Sequence, residues 1–171
     1  PLQLKDESII LKKKWNIPVD TRVILSVRNL TEIYNIESVI EAFYLLTEYS
    51  KKDLTLVVAG SGDLYDDLNH LAIDLNLINK VMFLGKVSSK ELLELYQLSD
   101  LYVQNPVSDA LPYSILESLA CGLPVVCGKI GSISDVDEKL KEIGVDYAQG
   151  YHLGKPVPID MMALLSDSMG D

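Results

Sequence analysis

Cysteine is scarce: 171 residues hold only Cys121 and Cys127. A pair that small rules out a disulfide framework. Both lie in apolar context and read as reduced, small, buried side chains. Structural zinc takes about four ligands, so the pair alone makes no zinc site. Long hydrophobic runs are missing as well. No stretch approaches the ~20 apolar residues that cross a bilayer, and nothing at the start reads as a signal peptide. Positive charge is the minority, since 15 Lys and Arg against 25 Asp and Glu leave a formal net charge of −10. An acidic chain repels phosphate backbones, which argues against sequence-independent nucleic-acid binding. A small basic pocket for one phosphorylated ligand is still compatible with that sum. An initiating Met is also lacking: the chain opens Pro1-Leu2-Gln3-Leu4 and reads as a piece of something longer. Together these traits predict a cytoplasmic protein with one domain's worth of core.

What is present is 48% hydrophobic and 23% charged, an ordinary composition for a packed domain. Apolar, β-branched runs alternate with amphipathic stretches. Strands are predicted at 22–28, 54–59, 80–84, 100–104 and 123–127. Their continuous rather than alternating apolar character implies cover on both faces. Helices are predicted between them. Residues 36–49 put Ile36, Val39, Ile40, Phe43 and Leu46 on one face. Residues 63–75 do so with Leu64, Leu68, Leu71 and Leu75, and residues 89–98 with Leu92, Leu93, Leu95 and Tyr96. Ser88 or Ser89 caps the last of these, and a further helix covers 113–121. A lead-in helix spans 6–15, with Lys12-Lys13-Lys14 on a solvated face and Trp15 packing it onto the sheet. The β-α order implies an α/β fold, a Rossmann-like, doubly wound parallel sheet with right-handed crossovers.

In such a sheet ligands bind beyond the carboxyl ends of the strands. Three segments fall there. Gly60-Ser61-Gly62 ends the strand at 54–59 and opens a helix, where it is either a tight turn or a close approach to a ligand. Asp109 through Val126 places Pro112 at a helix start and Gly122 at its end. N–H groups near Tyr113 and Ser114 could bind a diphosphate. Glu117, a turn further in, could take both hydroxyls of a ribose or merely complement the helix dipole. Asp109 could reach a sugar hydroxyl or simply form a turn. Arg28, at the end of the first strand, could neutralise phosphate or pair with Glu32. Tyr65-Asp66-Asp67 and His70 read as exposed helix surface.

In fixed order, the segments are Arg28-Asn29-Leu30 through Ile40-Glu41-Ala42-Phe43, then Val57-Val58-Ala59-Gly60-Ser61-Gly62, then Val81-Met82-Phe83-Leu84-Gly85-Lys86-Val87. Asp109-x7-Glu117 follows, running into Ala120-Cys121-Gly122-Leu123-Pro124-Val125-Val126. This set resembles the C-terminal, donor-binding domain of group 1 retaining glycosyltransferases, one half of a GT-B fold, over residues 1–136. The resemblance implies a nucleotide-diphosphate sugar as donor substrate, no cofactor and no metal. It implies that Glu117 holds the donor ribose and Asp109 faces the sugar. Gly60 and Gly62 form the loop near the diphosphate, and Lys86 and Val87 meet the base. Where the family has Gly-Arg at 28–29 and Lys at 34, this chain has Arg28-Asn29 and Tyr34. Arg28 is then the cation for the leaving diphosphate.

Residues 137–171 read as an extra α-β-α tail packed on the same domain, with a helix at 135–143, a strand at 146–150 and a helix at 159–167. Gln149-Gly150-Tyr151 and Gly154-Lys155-Pro156 resemble the end of an EAL-type cyclic-di-nucleotide phosphodiesterase. Nothing earlier in the chain supplies that barrel's carboxylates, so no phosphodiesterase activity is expected. The acceptor site is expected on a missing N-terminal domain, which leaves this chain alone inactive. An exposed edge strand allows a homodimer. Two alternatives stay open: a sugar-nucleotide epimerase-like half, and a non-catalytic chimeric scaffold.

Overall fold

The computed structural model describes residues 2–108 and 113–128. Asp109, the tail elements and the boundary at 136 lie outside those residues. Five strands, β1 (Arg22–Val27), β2 (Leu54–Ala59), β3 (Val81–Gly85), β4 (Leu101–Gln104) and β5 (Val125–Cys127), alternate with five helices. The helices are α1 (Leu2–Lys14), α2 (Ile36–Tyr49), α3 (Tyr65–Asp74), α4 (Ser89–Leu98) and α5 (Tyr113–Ala120). A single 3-10 turn, Glu32–Tyr34, precedes α2. The strands form one sheet in the order β3-β2-β1-β4-β5, and every pairing is parallel.

Each face of the sheet carries its own core. On one face Ile24, Leu56 and Val58 pack under Val39, Ile40 and Phe43 of α2 and Leu68 of α3. On the other face Leu25, Val57 and Ala59 meet Leu95, Tyr96 and Ile115. All six residues of β2 are buried, as its unbroken Leu-Thr-Leu-Val-Val-Ala run requires. Thr55 tolerates that burial because its hydroxyl bonds the hydroxyl of Thr21 at 3.0 Å. The five apolar residues predicted for α2 are all buried. Each such side chain contributes roughly 1.5–3 kcal/mol. The start of α4 is a capping box. Ser88 Oγ accepts from the Glu91 amide at 3.4 Å, and the Glu91 carboxylate accepts from the Ser88 amide at 2.7 Å. Asn16, Asn35 and Asn76 take left-handed backbone at loop turns, a conformation asparagine adopts more readily than most residues.

Three expectations are corrected. Lys12 is not on a solvated face: it is 7% exposed, and its Nζ donates to Thr21 O at 2.7 Å. The ammonium ties the last turns of α1 to the loop before β1, a use of charge that a run of three lysines does not reveal. Lys14, by contrast, is exposed and pairs with Glu94 at 2.8 Å. Leu93 faces solvent, and the buried face of α4 is Leu95, Tyr96 and Leu98, because neighbouring positions on a helix diverge by ~100°. Cys121 is exposed in the turn after α5, and Cys127 is half-buried at the end of the edge strand β5.

At their carboxyl ends β1, β2 and β3 are drawn together by backbone bonds. Arg28 N donates to Ala59 O at 3.0 Å, Gly60 N to Gly85 O at 2.8 Å, and Leu30 N to Ser61 O at 3.1 Å. A Cβ on Gly60 would fall 1.9 Å from Arg28 O, and one on Gly62 2.2 Å from Leu30 O. Both glycines therefore serve backbone-to-backbone contact within the protein. Gly60→Ala is expected to destabilise the fold by more than about 3 kcal/mol. Gly85→Ala, at φ +68 but facing open space, should cost only about 1–2 kcal/mol. Urea unfolding of the two variants checks this difference.

Candidate functional site

The sheet order reverses between β1 and β4. Chain leaving β1 passes to one face and chain leaving β4 to the other, which opens a crevice at the carboxyl end between them. Arg28 stands on the β1 side. Its guanidinium lies 5.3 Å from the centroid of the Tyr34 ring, a cation–π contact that holds it over the first turn of the loop. The two loops bordering the crevice are joined by Val107 N donating to Ile33 O at 2.7 Å.

Helix α5 stands on the β4 side. Tyr113 at its start is 68% exposed, while Ser114 is buried. The Ser114 hydroxyl is 2.7 Å from the Tyr102 hydroxyl and 3.3 Å from Gln104 Oε1. Tyr102 also lies 3.0 Å from Gln104 Oε1. Ser114 thus spends its side chain on the protein, and only its backbone N–H remains for a ligand. Gln104 is 1% exposed, and its Nε2 has no hydrogen-bond partner among the described residues. An orphaned buried donor is costly and uncommon in a folded protein.

One turn in from the start of α5, Glu117 is exposed. It points neither into the core nor into isolation, because the Tyr96 hydroxyl donates to its Oε2 at 3.0 Å. Tyr96 comes from α4, with its ring tilted against Tyr102 at 6.1 Å between centroids. Burial first, and then the neighbouring Tyr102 and Glu117, push the Tyr96 phenol well above its ordinary value. Burial likewise pushes Tyr102 up to about 12. The Arg28 charge opposes both shifts and Glu117 reinforces both. The cation from β1 and the carboxylate on α5 therefore act on one tyrosine pair.

The remaining expected residues are also at this end. Gly60 and Gly62 form the turn after β2. A bulge between Val58 and Ala59 shifts the register so that Ala59 pairs with Gly85. Lys86 then leaves the sheet exposed, and Val87 is half-buried against the core. Asp109 lies outside the described residues. Tyr102 and Gln104 have no role in the reading of the sequence, which takes Tyr96 only as an inward face of its helix. The available signal is a phenol at an inward helix or strand position, since a buried hydroxyl needs a partner. A groove of about 280 Å³ lies between α2 and α3. Glu32, Glu37 and Asp67 line it, which suits it poorly to an anionic ligand.

Sheet order and flanking helices define a doubly wound, Rossmann-like α/β domain. The family of glycosyl transferases group 1 matches residues 7–163, and the chain belongs to it. That match runs past residue 136 through most of the segment that resembles an EAL-type end. An uncharacterised glycosyltransferase of Methanocaldococcus jannaschii, MJ1607, is 34% identical over 131 residues, 77% of this chain and 33% of the relative. Among solved structures, the lipopolysaccharide-biosynthesis glycosyltransferase WaaG superposes with a TM-score of 0.68 at 21% identity, over 80% of this chain and 36% of WaaG. Anabaena HepE in complex with UDP-glucose gives 0.68 at 20% identity, over 77% of this chain and 36% of HepE. The chain spans about a third of the length of the curated relatives it matches. Among the described residues, no helix is long and apolar enough to cross a membrane.

The buried phenols make the fold sensitive to alkali. A phenol whose folded pKa is raised adds stability below its unfolded value of 10.0, and that stability is lost as pH rises through the folded value. At about pH 11 the folded chain should keep Tyr96 and Tyr102 protonated, and urea should ionise both as the chain unfolds. A jump in phenolate absorbance that coincides with unfolding, together with a lower urea midpoint than at about pH 9, checks this.

Proposed function

We propose that the chain is the donor-binding part of a retaining glycosyltransferase, which moves a sugar from a nucleotide diphosphate to an acceptor. One observation carries the reading. An exposed carboxylate, Glu117, sits a turn into the helix that follows the switch-point strand and is fixed there by a buried phenol. The family membership supports the reaction class. HepE, solved with UDP-glucose, supports a nucleotide sugar as the kind of ligand.

The nucleotide sugar is substrate here, and the residues divide the work by charge. Backbone N–H groups at Tyr113 and Ser114 bind diphosphate oxygens, as free donors at a helix start do. Arg28, held against Tyr34, stabilises the negative charge that grows on the diphosphate as the glycosidic bond breaks. Glu117 accepts hydrogen bonds from the ribose hydroxyls. Asp109 orients the sugar. Gly60 and Gly62 keep the turn after β2 low enough to leave room for the diphosphate, and backbone at Lys86 and Val87 meets the base. The acceptor is bound by a further domain, so this chain alone binds donor weakly and transfers little.

Calorimetric titration with UDP, GDP and ADP tests the assignment. One of them is expected to bind, and Glu117→Ala should weaken it by about tenfold or more, as loss of a charge-assisted hydrogen bond does. Silence with all three overturns the reading in favour of a non-catalytic scaffold. With a labelled donor and no acceptor, an altered sugar would mark an epimerase instead. Sustained transfer by this chain alone would overturn the need for a separate acceptor domain.

A further inference from the structure

Glu117 stands on an exposed helical face, where a glutamate side chain rotates freely. Fixing such a chain costs rotamer entropy, which a ligand would otherwise have to supply. Here the protein supplies it in advance. Tyr96 is 3% exposed, and its ring lies in the core between the sheet and α5, in the same cluster as Leu98, Tyr102 and Ile115. Its helix is anchored at the start by the Ser88–Glu91 box and near the end by Ser99 Oγ donating to Leu95 O at 2.6 Å. The phenol has two acceptors in reach, Glu117 Oε2 at 3.0 Å and Ser114 O at 3.4 Å. The carboxylate is nearer and charged, so it takes the proton.

We propose that Tyr96 is a positioning residue for recognition of the donor's ribose, acting through Glu117. The inference rests on the donor-binding reading above. The phenol holds Oε2 in place and restricts the swing of the carboxylate. Oε1 and the remaining lone pair of Oε2 are left as a pair of acceptors, which matches the two O–H groups of a vicinal diol. Because burial keeps the phenol protonated, it remains a donor and never sets a second negative charge beside Glu117.

The test compares two ligands on the full chain. The nucleoside diphosphate that binds among UDP, GDP and ADP is titrated against its 2′,3′-dideoxy form, which lacks the diol. Wild type should favour the ribose form. Tyr96→Phe keeps the ring and removes the hydroxyl. It should cut that preference by about three- to tenfold while leaving the dideoxy affinity unchanged. In the Glu117→Ala background Tyr96→Phe should cause no further change. An unchanged preference in Tyr96→Phe overturns the positioning role and leaves the donor reading standing. An equal loss of both affinities also overturns it, since it would mark a purely structural tyrosine. A wild type that does not distinguish the two ligands, or that binds none of the three diphosphates, overturns the donor reading itself.

Discussion

Everything at the candidate site depends on β1 having parallel neighbours on both sides whose connections leave toward opposite faces. β1 pairs with β2 along its whole length, from Arg22 to Val27, and with β4 through Ile24 and Leu25. That central position buries β1 and leaves a gap where the two chain paths part. Arg28 emerges on one side of the gap and α5 on the other. The backbone bonds from Arg28 to Ala59 and from Gly60 to Gly85 close the adjoining strand ends, so the gap has a firm floor.

Much of this was legible in the residues. The strand at 54–59 and the helices at 36–49 and 89–98 coincide with the structure because their apolar spacing and end signals agree. The α/β class follows from that alternation. Single side chains were harder to read. Lys12 looks like a solvated cation because charge alone does not disclose a carbonyl waiting in a loop nine residues later. Leu93 is as hydrophobic as Leu92, and only the helix angle separates them. Cys121 follows an apolar helix, but the turn at Gly122 lifts it to the surface.

The site shows the same division. Position along the chain put Arg28, Gly60, Gly62, Lys86, Ser114 and Glu117 at the carboxyl end of the sheet. It did not reveal what each one touches. The glycines answer to carbonyls of the neighbouring loop, and the Ser114 hydroxyl answers to Tyr102. The Tyr96–Glu117 bond joins two helices whose partners lie 21 residues apart, a pairing that no local pattern encodes. Tyr34 places an aromatic ring beside Arg28, a contact that the sequence alone does not announce. The ring acts as a platform that restricts where the Arg28 charge can swing.

The buried amine of Lys12 has a practical corollary. Its neighbour Lys13 is exposed, whereas Lys12 is enclosed by the loop that it bonds. Acylating reagents attack only unprotonated, accessible amines. Modification at this lysine therefore requires the opening helix to lift from its seat, while exposed Lys13 reacts regardless. Mass mapping of acylated lysines would follow the docking of that helix using chemistry already in the chain.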